Sequence, residues 1–290
     1  MLKISNLTKY YKNNLGVDNV NIELEKGEIF GFIGPNGAGK STTIKCILNF
    51  LNKNNGEIYL EDKLIKKCDY LFKEDIGYLP SEIHLYEDLT VKQMINYSKS
   101  FYNKKMDNRI EELVSIFEVN LDKKIDELSF GNLKKLGLIL ALMHEPKILI
   151  LDEPTSGLDP LMQEKFFELL LKEKQKGTTI FFSSHNLSEI KRVCDRVGII
   201  KNGTVIEVDT VKNLSKNSFV VITIKSKDVK KINLPLKNMH IKSISTDEIK
   251  FTYKGDINKI INVLNEYKVD KLLIEEMAID EIFIHYYKEV

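Results

Sequence analysis

The sequence predicts an α/β fold built around a glycine-rich loop, followed by a small second domain. A short apolar and β-prone run at residues 27–33 leads into a glycine-rich loop at 34–41, and apolar residues then recur at helical spacing over 43–51,. A second run of large aliphatic residues at 148–151 has the composition of a central strand that is buried on both faces,. Past residue 214 the pattern changes to alternating strands and one helix, which indicates a separate α+β domain,.

The loop at 34–41 reads GPNGAGKS and fits the pattern G-x-x-x-x-G-K-[ST],. Its glycines let backbone N–H groups curl around phosphate oxygens, and the helix that begins near Gly39 directs the positive end of its dipole to the same place. Lys40 adds a charge for the β- and γ-phosphates, and Ser41 offers a hydroxyl to Mg²⁺,. The sequence therefore predicts that a nucleoside triphosphate is bound by Gly34, Pro35, Asn36, Gly37, Ala38, Gly39, Lys40 and Ser41.

Asp152 and Glu153 follow the predicted strand at 148–151. Open parallel sheets place their ligands at the carboxyl ends of their strands, so both side chains are expected to face the bound phosphates. Asp152 can hold Mg²⁺ through its water shell, and Glu153 can orient or deprotonate the attacking water. For an acidic pair alone, a solvated loop or a helix cap is an equally good interpretation, and the phosphate loop decides in favour of the site.

Composition limits the domain number, the binding partners and the cellular compartment that the sequence is compatible with. The 290 residues suffice for one large domain and a small one, and 43 basic against 42 acidic residues give a net charge of +1, so no strong field attracts nucleic acid or anionic lipid,. The cysteines, Cys46, Cys68 and Cys194, are far apart, which favours buried thiols in a reducing compartment,. Without an apolar targeting segment or a run of about 18 apolar residues, the chain is expected to reach a membrane only through a partner.

A third block of motifs completes the pattern. Residues 128–132 read LSFGN and precede an apolar helix, SGLD at 156–159 follows Glu153, and His185 follows another apolar run. In their order and spacing these motifs resemble those of the ATP-binding cassette (ABC) ATPases, over roughly residues 2 to 210. The resemblance implies a P-loop ATPase core with an antiparallel β subdomain and a helical subdomain, and it implies ATP and Mg²⁺ as cofactors.

The resemblance assigns residues 129–132 to the signature loop, which in the family caps the γ-phosphate of an ATP held by the other subunit. The residue types agree with this role, because a small hydroxyl side chain and a glycine at a helix start leave free N–H donors for an anion. If the block stood alone, an ordinary helix N-cap would be the better interpretation. The predicted contacts in trans come from Ser129, Phe130, Gly131 and Asn132.

Further positions take their roles from the resemblance. Thr42 matches the residue that contacts the α-phosphate, and Tyr11 falls where an aromatic ring stacks on adenine,. His185 matches the switch histidine that bonds the γ-phosphate, and it is grouped with Glu153 as catalytic. Asp159 matches the acidic residue that couples the two active sites, although it is equally suited to N-cap the helix that follows it,.

The sequence departs from the family pattern at three positions. Ser81 stands where the family has a glutamine that touches Mg²⁺ or the lytic water and senses the membrane partner. Serine is too short to reach as far, so Glu82 or a water must reach instead, or the coupling is weaker. Phe130 replaces the first glycine of the signature, and Asn132 replaces its glutamine. The signature's serine and second glycine remain, so an ATP sandwich between two subunits is still expected.

The predicted organisation is a nucleotide-binding domain at 1–213 and a small C-terminal α+β domain at 214–290. Within the first domain, β-prone runs and glycine turns at 1–30 and 56–80 predict an antiparallel sheet beside the main parallel one,. A helical subdomain is expected at about 82–145, and it resembles the arm that meets the membrane subunit,.

Turn and periodicity signals mark the remaining elements. An amphipathic helix is predicted over 160–177, and the Asn-Gly pair inside 197–208 predicts a hairpin,. In the second domain, strands are predicted at 219–224 and 249–253, and a helix is predicted at 256–267,.

The resemblance implies an ATP-binding and ATP-hydrolysing subunit of a two-component ABC membrane exporter. Its partners would be an integral membrane permease subunit and a second ATPase subunit, forming a homodimer, with no nucleic acid. The chain would then be cytoplasmic and peripheral on the inner face of the cell membrane. Residues 278–283 look like the tail of ATPase subunits of bacterial drug- and peptide-export systems.

Two alternatives stay open at this point. One is a soluble, non-transport ABC ATPase acting on ribosomes or DNA. Such proteins usually carry two cassettes, or a long coiled coil between the phosphate loop and the signature, and this sequence has neither. The other is a regulatory or immunity protein that binds ATP but turns it over slowly, which the departures at Ser81 and Phe130 allow.

Overall fold

The structure is a computed structural model, and it describes residues 2–12, 14–67, 69–216, 220–227, 239–253, 255–265 and 267–276. The chain divides into two compact units, Met1–Asp209 and Thr210–Val290. The boundary predicted after residue 213 falls slightly later, inside helix α7 (Val211–Lys216) of the second unit.

Strands and helices alternate through much of the first unit, as a parallel sheet with crossover helices requires. Its elements are β1 (Leu2–Tyr11), β2 (Asn14–Leu24), β3 (Ile29–Ile33), α1 (Lys40–Ile47), β4 (Asn55–Leu60), β5 (Lys63–Leu64), β6 (Ile76–Leu79), α2 (Val91–Lys99), α3 (Asp107–Phe117), α4 (Phe130–Leu142), β7 (Ile148–Asp152), α5 (Pro160–Gln175), β8 (Thr179–Ser184), α6 (Leu187–Val193), β9 (Arg196–Lys201) and β10 (Thr204–Thr210). The second unit contains α7, β11 (Val220–Lys225), β12 (Met239–Ile244), β13 (Glu248–Tyr253), α8 (Ile257–Leu264) and β14 (Lys271–Glu276).

The central sheet of the first unit has the strand order β10-β9-β3-β8-β7-β6. Strands β3, β7 and β8 are buried along their whole length, which explains their unbroken apolar runs,. β3 and β7 both run parallel to β8, with Ile33 opposite Ser184 and Asp152 opposite Ser183. The carboxyl ends of these three strands therefore meet at one edge of the sheet, and the predicted site residues follow each of them.

A second sheet of the first unit is antiparallel, with the order β2-β1-β4-β5. The prediction that 56–80 belongs to this sheet is wrong for β6, which pairs in parallel with β7, Ile76 opposite Ile148. Strand β6 also packs closely on α4, since a Cβ at Gly77 would lie 2.1 Å from the carbonyl oxygen of Ala141. A short buried run has the same composition in either kind of sheet, so the sequence alone did not distinguish the two.

Helices α2, α3 and α4 occupy the predicted helical subdomain. A capping box begins α2, where Thr90 and Gln93 each accept a hydrogen bond from the other's backbone N–H,. A buried ion pair ties α3 to α5, because Nη2 of Arg109 donates to Oε1 of Glu173 over 2.7 Å. Both side chains are almost wholly buried, so this contact fixes the position of α3 against the helix that follows the phosphate site.

The second unit is a four-stranded antiparallel sheet with the order β12-β13-β11-β14 and one helix, α8. Its core includes Ile222, Ile224, Phe251 and Ile260. The predicted strands and helix correspond to β11, β13 and α8. The sequence analysis predicts neither β12, which is mostly exposed and has no apolar run, nor β14.

Some features fall outside what the structure describes. Cys68 and the tail at 278–283 lie beyond the described residues. Within the described ranges, no helix combines the length and the apolar character needed to cross a bilayer.

Candidate active site

The phosphate loop leaves the carboxyl end of β3 and enters α1. Gly39 has a φ of 111°, and a Cβ there would lie 2.6 Å from Cγ1 of Val17. Glycine is therefore required at this position both by the backbone conformation and by the space available. The loop is also anchored from the β9–β10 hairpin, since the N–H of Gly203 donates to the carbonyl of Ala38 over 2.9 Å.

Lys40 joins the beginning of the loop to the end of β7. Its ammonium donates to the carbonyl oxygens of Gly34 over 2.7 Å and Pro35 over 3.2 Å. It also forms an ion pair with Oε1 of Glu153 at 3.2 Å. Three contacts match the three donors of an ammonium group, and Lys40 is only 5% exposed,. This buried positive charge lies where the predicted site needs a partner for phosphate oxygens.

Ser183 of β8 organises the backbone and side chains at the end of β7. Its hydroxyl donates to Oδ1 of Asp152 over 2.6 Å, and Asp152 is buried. The backbone N–H of Glu153 faces the carbonyl oxygen of Ser183 at 3.3 Å and its hydroxyl oxygen at 3.2 Å. Glu153 has a φ of 51°, a conformation that a non-glycine residue keeps where its surroundings hold it,. The neighbouring strand therefore fixes the chain from which both carboxylates extend.

His185 completes the contacts of the Glu153 carboxylate. Its Nδ1 lies 2.5 Å from Oε2 of Glu153, while Oε1 of the same carboxylate faces Lys40. The Glu153 side chain is 17% exposed, so both of its oxygens are engaged in a largely enclosed position. The structure thus brings the predicted catalytic residues, Glu153 and His185, into direct contact beside the lysine of the phosphate loop.

A cavity of about 540 Å³ runs along the loop, and this volume is within the usual range for small-molecule sites,. The hydroxyls of Tyr11 and Thr42 lie 3.3 Å apart, so the residues predicted to contact adenine and the α-phosphate are neighbours. The lining consists of Tyr11, Leu15, Gly16, Asn36, Gly37, Gly39, Lys40, Ser41, Thr42, Ser81, Glu82 and Glu153. Some predicted site residues do not line it, namely Gly34, Pro35, Ala38, Asp152 and His185.

Ser41 and Asp152 are the predicted magnesium ligands. Ser41 lines the cavity, and Asp152 ends β7 with Oδ1 bonded to the Ser183 hydroxyl. In the part of the chain that the structure describes, no group of three or more His, Cys, Asp and Glu side chains is arranged to hold a metal. A hydroxyl and one carboxylate suit Mg²⁺, which keeps several waters and takes phosphate oxygens as its other ligands. The donor set therefore fits magnesium that arrives with a nucleotide.

The signature residues lie away from this cavity. None of Ser129, Phe130, Gly131 and Asn132 lines it. Ser129 is the N-cap of α4, with its hydroxyl oxygen 3.4 Å from the N–H of Asn132. Phe130 packs over Gly157, since a Cβ at position 157 would lie 2.3 Å from Cδ1 of the ring. The N-cap contact is thus present, and contact with the nucleotide of a partner protomer stays a prediction.

Asp159 is the N-cap of α5. Its Oδ1 accepts a hydrogen bond from the N–H of Met162 over 2.9 Å. This contact is the second role that the sequence allowed for Asp159, and coupling between two active sites stays a prediction.

Lys134 of α4 is fully buried, and the sequence predicts no role for it. Its ammonium donates to the carbonyl oxygens of Pro80 and Ser81, each over 3.1 Å. Burial lowers the pKa of Lys134 to about 8, while the negative charges of Asp152 and Glu153 act in the opposite direction,. The one sequence signal for this contact is the place of Lys134 on the apolar face of the signature helix.

The sequence likewise predicts no role for Glu189 of α6. This buried carboxylate accepts hydrogen bonds from Oγ1 of Thr155 over 2.8 Å and from Oγ of Ser184 over 2.6 Å. The side-chain N–H of Asn186 contributes a longer contact of 3.4 Å. These partners flank the two predicted catalytic residues. In the sequence, Glu189 has the pattern of a solvated glutamate in the first turn of a helix, so no signal set it apart.

Comparison with known protein families identifies relatives over nearly the whole chain. The model of the ABC transporter family matches residues 17–156. The bacitracin transport ATP-binding protein BcrA of Bacillus licheniformis is 31% identical, over 98% of this chain and 96% of its own length. The lantibiotic transport ATP-binding protein SrtF of Streptococcus pyogenes is 35% identical, over 74% of this chain and 95% of its own length. The linearmycin resistance ATP-binding protein LnrL of Bacillus subtilis is 36% identical over 74% of this chain and 70% of its own length.

Solved structures agree with these relatives. An ATP-binding subunit of an ABC transporter superposes with a TM-score of 0.71 at 29% identity, covering 74% of this chain and 92% of that one. The dimeric structure of the bacterial ABC transporter cassette MJ0796 superposes with a TM-score of 0.68 at 26% identity, covering 73% of this chain and 99% of that one. A structure of the same cassette holds ADP and Pi in a post-hydrolysis state.

Proposed function

Because this chain belongs to the ABC transporter family of ATP-binding proteins, we propose that it hydrolyses ATP to power a membrane exporter. The relatives named for bacitracin, lantibiotic and linearmycin support drugs or peptides as the exported class. The observation that carries the proposal is a single set of contacts. Glu153 is held between Lys40 and His185 beside a cavity of suitable size.

In this proposal the chain binds ATP along the loop at 34–41. Backbone N–H groups and the ammonium of Lys40 hold the phosphates, and the ring of Tyr11 stacks on the adenine. Ser41 and Asp152 would hold Mg²⁺, which would neutralise charge on the phosphate oxygens.

Glu153 is the general base. Lys40 and His185 now contact its two carboxylate oxygens, and the same two residues are the ones expected to bond the γ-phosphate. Phosphate oxygens therefore compete with Glu153 for both partners, so that ATP binding releases the carboxylate to accept a proton from water. His185 then stays on the phosphate and orients it toward that water.

A second copy of the chain completes each site. Ser129 and Gly131 do not line the cavity of their own chain, and a dimeric cassette of the family supports a partner protomer as their target. Both protomers would close around ATP, because charge-assisted bonds to the γ-phosphate exist only in the closed pair. A separate integral permease would receive the motion, which places this chain on the cytoplasmic face of the membrane through that permease.

The substitution Glu153→Gln tests the proposal. The amide keeps the shape of the side chain but cannot accept the proton, so steady-state hydrolysis should fall by about 100-fold or more while ATP binding remains. An ATP-bound dimer should accumulate on size-exclusion chromatography. The matched control is Glu164→Gln, an exposed glutamate that pairs with Arg192 on the surface. Turnover that survives in Glu153→Gln would remove Glu153 from the role of base.

The named relatives support the exporter subunit rather than the two alternatives, and assays of the wild-type protein test this distinction. A low-turnover regulatory protein binds ATP without appreciable steady-state hydrolysis. A non-transport ATPase hydrolyses ATP but does not co-purify with a membrane protein from detergent-solubilised membranes. The exporter subunit does both, and its hydrolysis changes in rate when the permease is present.

A further inference from the structure

We propose that Glu189 is a positioning residue for hydrolysis, which fixes the two backbone segments that carry Glu153 and His185; this inference rests on the proposed function. Glu189 is 8% exposed, and its carboxylate bonds the hydroxyls of Thr155 and Ser184. Thr155 lies in the turn just after Glu153, and Ser184 immediately precedes His185. One buried carboxylate thus connects the two segments that carry the catalytic pair.

The local helix does not require this carboxylate. The N-cap of α6 is Asn186, whose Oδ1 accepts from the N–H of Ser188 over 3.0 Å. A capping-box glutamate would accept from the backbone N–H of the N-cap residue. Here that N–H donates instead to the hydroxyl oxygen of Ser184 over 2.8 Å. Glu189 is therefore directed at the loop after β7 and the end of β8, and its burial is explained by those contacts.

The geometry links Glu189 to the catalytic contact in two ways. The Ser184 hydroxyl accepts from Asn186 and donates to Glu189, which fixes the backbone on both sides of His185. The Thr155 hydroxyl fixes the far side of the turn in which Glu153 has its positive φ. A buried charged acceptor makes strong hydrogen bonds and is costly to leave without donors, so the two segments are held together rather than merely adjacent.

The role differs from that of a nucleotide ligand. Glu189 does not line the cavity, and its described hydrogen bonds involve neither Lys40 nor the phosphate loop. Loss of Glu189 should therefore leave ATP binding nearly unchanged and misplace Glu153 relative to His185. A misplacement of about 1 Å at a reacting group costs up to roughly 100-fold in rate. The expected signature is a fall in kcat without a matching rise in KM.

The test substitutes Glu189→Gln and measures kcat and KM for ATP, with binding of a fluorescent ATP analogue measured separately. We expect kcat to fall by about 10- to 100-fold and KM to change less than about threefold. The controls are Ser188→Ala, an exposed neighbour on the same helix, and Glu164→Gln, an exposed glutamate on α5. Both controls should keep the wild-type rate. A rate for Glu189→Gln equal to that of the controls overturns the inference.

A double-mutant cycle with Thr155→Val separates positioning from general destabilisation. If Glu189 acts through its hydrogen bond with Thr155, the loss of rate in the double variant should be smaller than the sum of the two single losses, because both single variants perturb the same contact,. If the two single losses of rate add in the double variant, Glu189 and Thr155 do not act together. If rate, nucleotide binding and thermal stability all fall in parallel, the role of Glu189 is merely structural. Ser184→Ala serves where Glu189→Gln fails to fold, since it removes one of the two hydroxyl donors to Glu189 together with the acceptor of the Asn186 N–H, and it should also lower kcat.

The two hypotheses fail in distinguishable ways. If Glu153→Gln retains turnover, the proposed base is wrong whatever Glu189 does. If Glu153→Gln is inactive while Glu189→Gln hydrolyses ATP at the wild-type rate, the proposed function stands and only the positioning role is lost.

Discussion

The buried ammonium of Lys134 predicts a measurable dependence of stability on pH. Lys134 is 0% exposed, and its described partners are the carbonyl oxygens of Pro80 and Ser81, with no carboxylate in direct contact. The substitution Lys134→Met keeps an unbranched side chain of similar length but removes the titrating group. The difference in unfolding free energy between the wild type and this variant therefore isolates the ionisation of Lys134.

The size and sign of the effect follow from the lowered pKa. An exposed lysine in the unfolded chain keeps its proton to about pH 10.5, whereas burial lowers the pKa of Lys134 to about 8 in the folded chain. Below pH 8 Lys134 is protonated in both the folded and the unfolded chain, so the difference in unfolding free energy between the wild type and the variant is constant. Between about pH 8 and 10.5 the unfolded state binds more protons, so the wild type gains stability relative to the variant as the pH rises. A tenfold change in proton affinity is worth about 1.4 kcal/mol. The fall in pKa from 10.5 to about 8 therefore gives the wild type a total gain of about 3 kcal/mol relative to the variant,.

Urea unfolding at pH 7, 8, 9 and 10 measures this difference. Circular dichroism is the suitable signal, because the chain has no tryptophan. Titrations elsewhere in the protein are common to the wild type and the variant and cancel in the difference. Lys92→Met, which removes an exposed lysine from α2, is the matched control. A difference for Lys134→Met that stays flat, or falls as the pH rises, would refute the assignment of a costly buried ammonium.

Three other predictions concern nucleotide binding and stability. Tyr11→Ala should weaken ATP binding by about 1–3 kcal/mol, or roughly 5- to 150-fold, in a calorimetric titration, whereas Tyr11→Phe keeps the stacking ring. Gly39→Ala should abolish binding of a fluorescent ATP analogue, because its Cβ collides with neighbouring atoms. Gly37→Ala, where nothing lies within 4 Å, should show only the strain of its positive φ, about 1 kcal/mol in thermal unfolding,. Arg109→Met or Glu173→Leu alone should cost about 3–5 kcal/mol in urea unfolding, and the double variant much less.

The parts of the site that could be predicted are those encoded in consecutive residues. The phosphate loop combines glycine, lysine and serine at fixed spacing, so its order between a strand and a helix is visible in the chain. Asp152 and Glu153 follow an aliphatic run that is recognisable as a buried strand. Since parallel strands end at the same edge of a sheet, the meeting of these residues with His185 also follows from the pattern of elements.

The parts that could not be predicted depend on contacts between distant segments. Lys134 is separated from Pro80 and Ser81 by more than fifty positions, and Glu189 is separated from Thr155 by 34. A lysine or glutamate on a helix has the same local pattern whether it faces water or a backbone carbonyl. Only tertiary packing decides which of these occurs, so burial of such residues is invisible to periodicity.

The departure from the family pattern at Ser81 falls where another residue holds the backbone. The Ser81 side chain is too short to reach Mg²⁺ or the lytic water as the family's glutamine does. The carbonyl oxygen of Ser81 nevertheless accepts a hydrogen bond from Lys134. The loop therefore keeps its place beside the cavity through its backbone, and the side chain at this position need not hold it there. Because Lys134 belongs to the signature helix α4, its two hydrogen bonds join that helix to the backbone of Pro80 and Ser81 at the edge of the cavity.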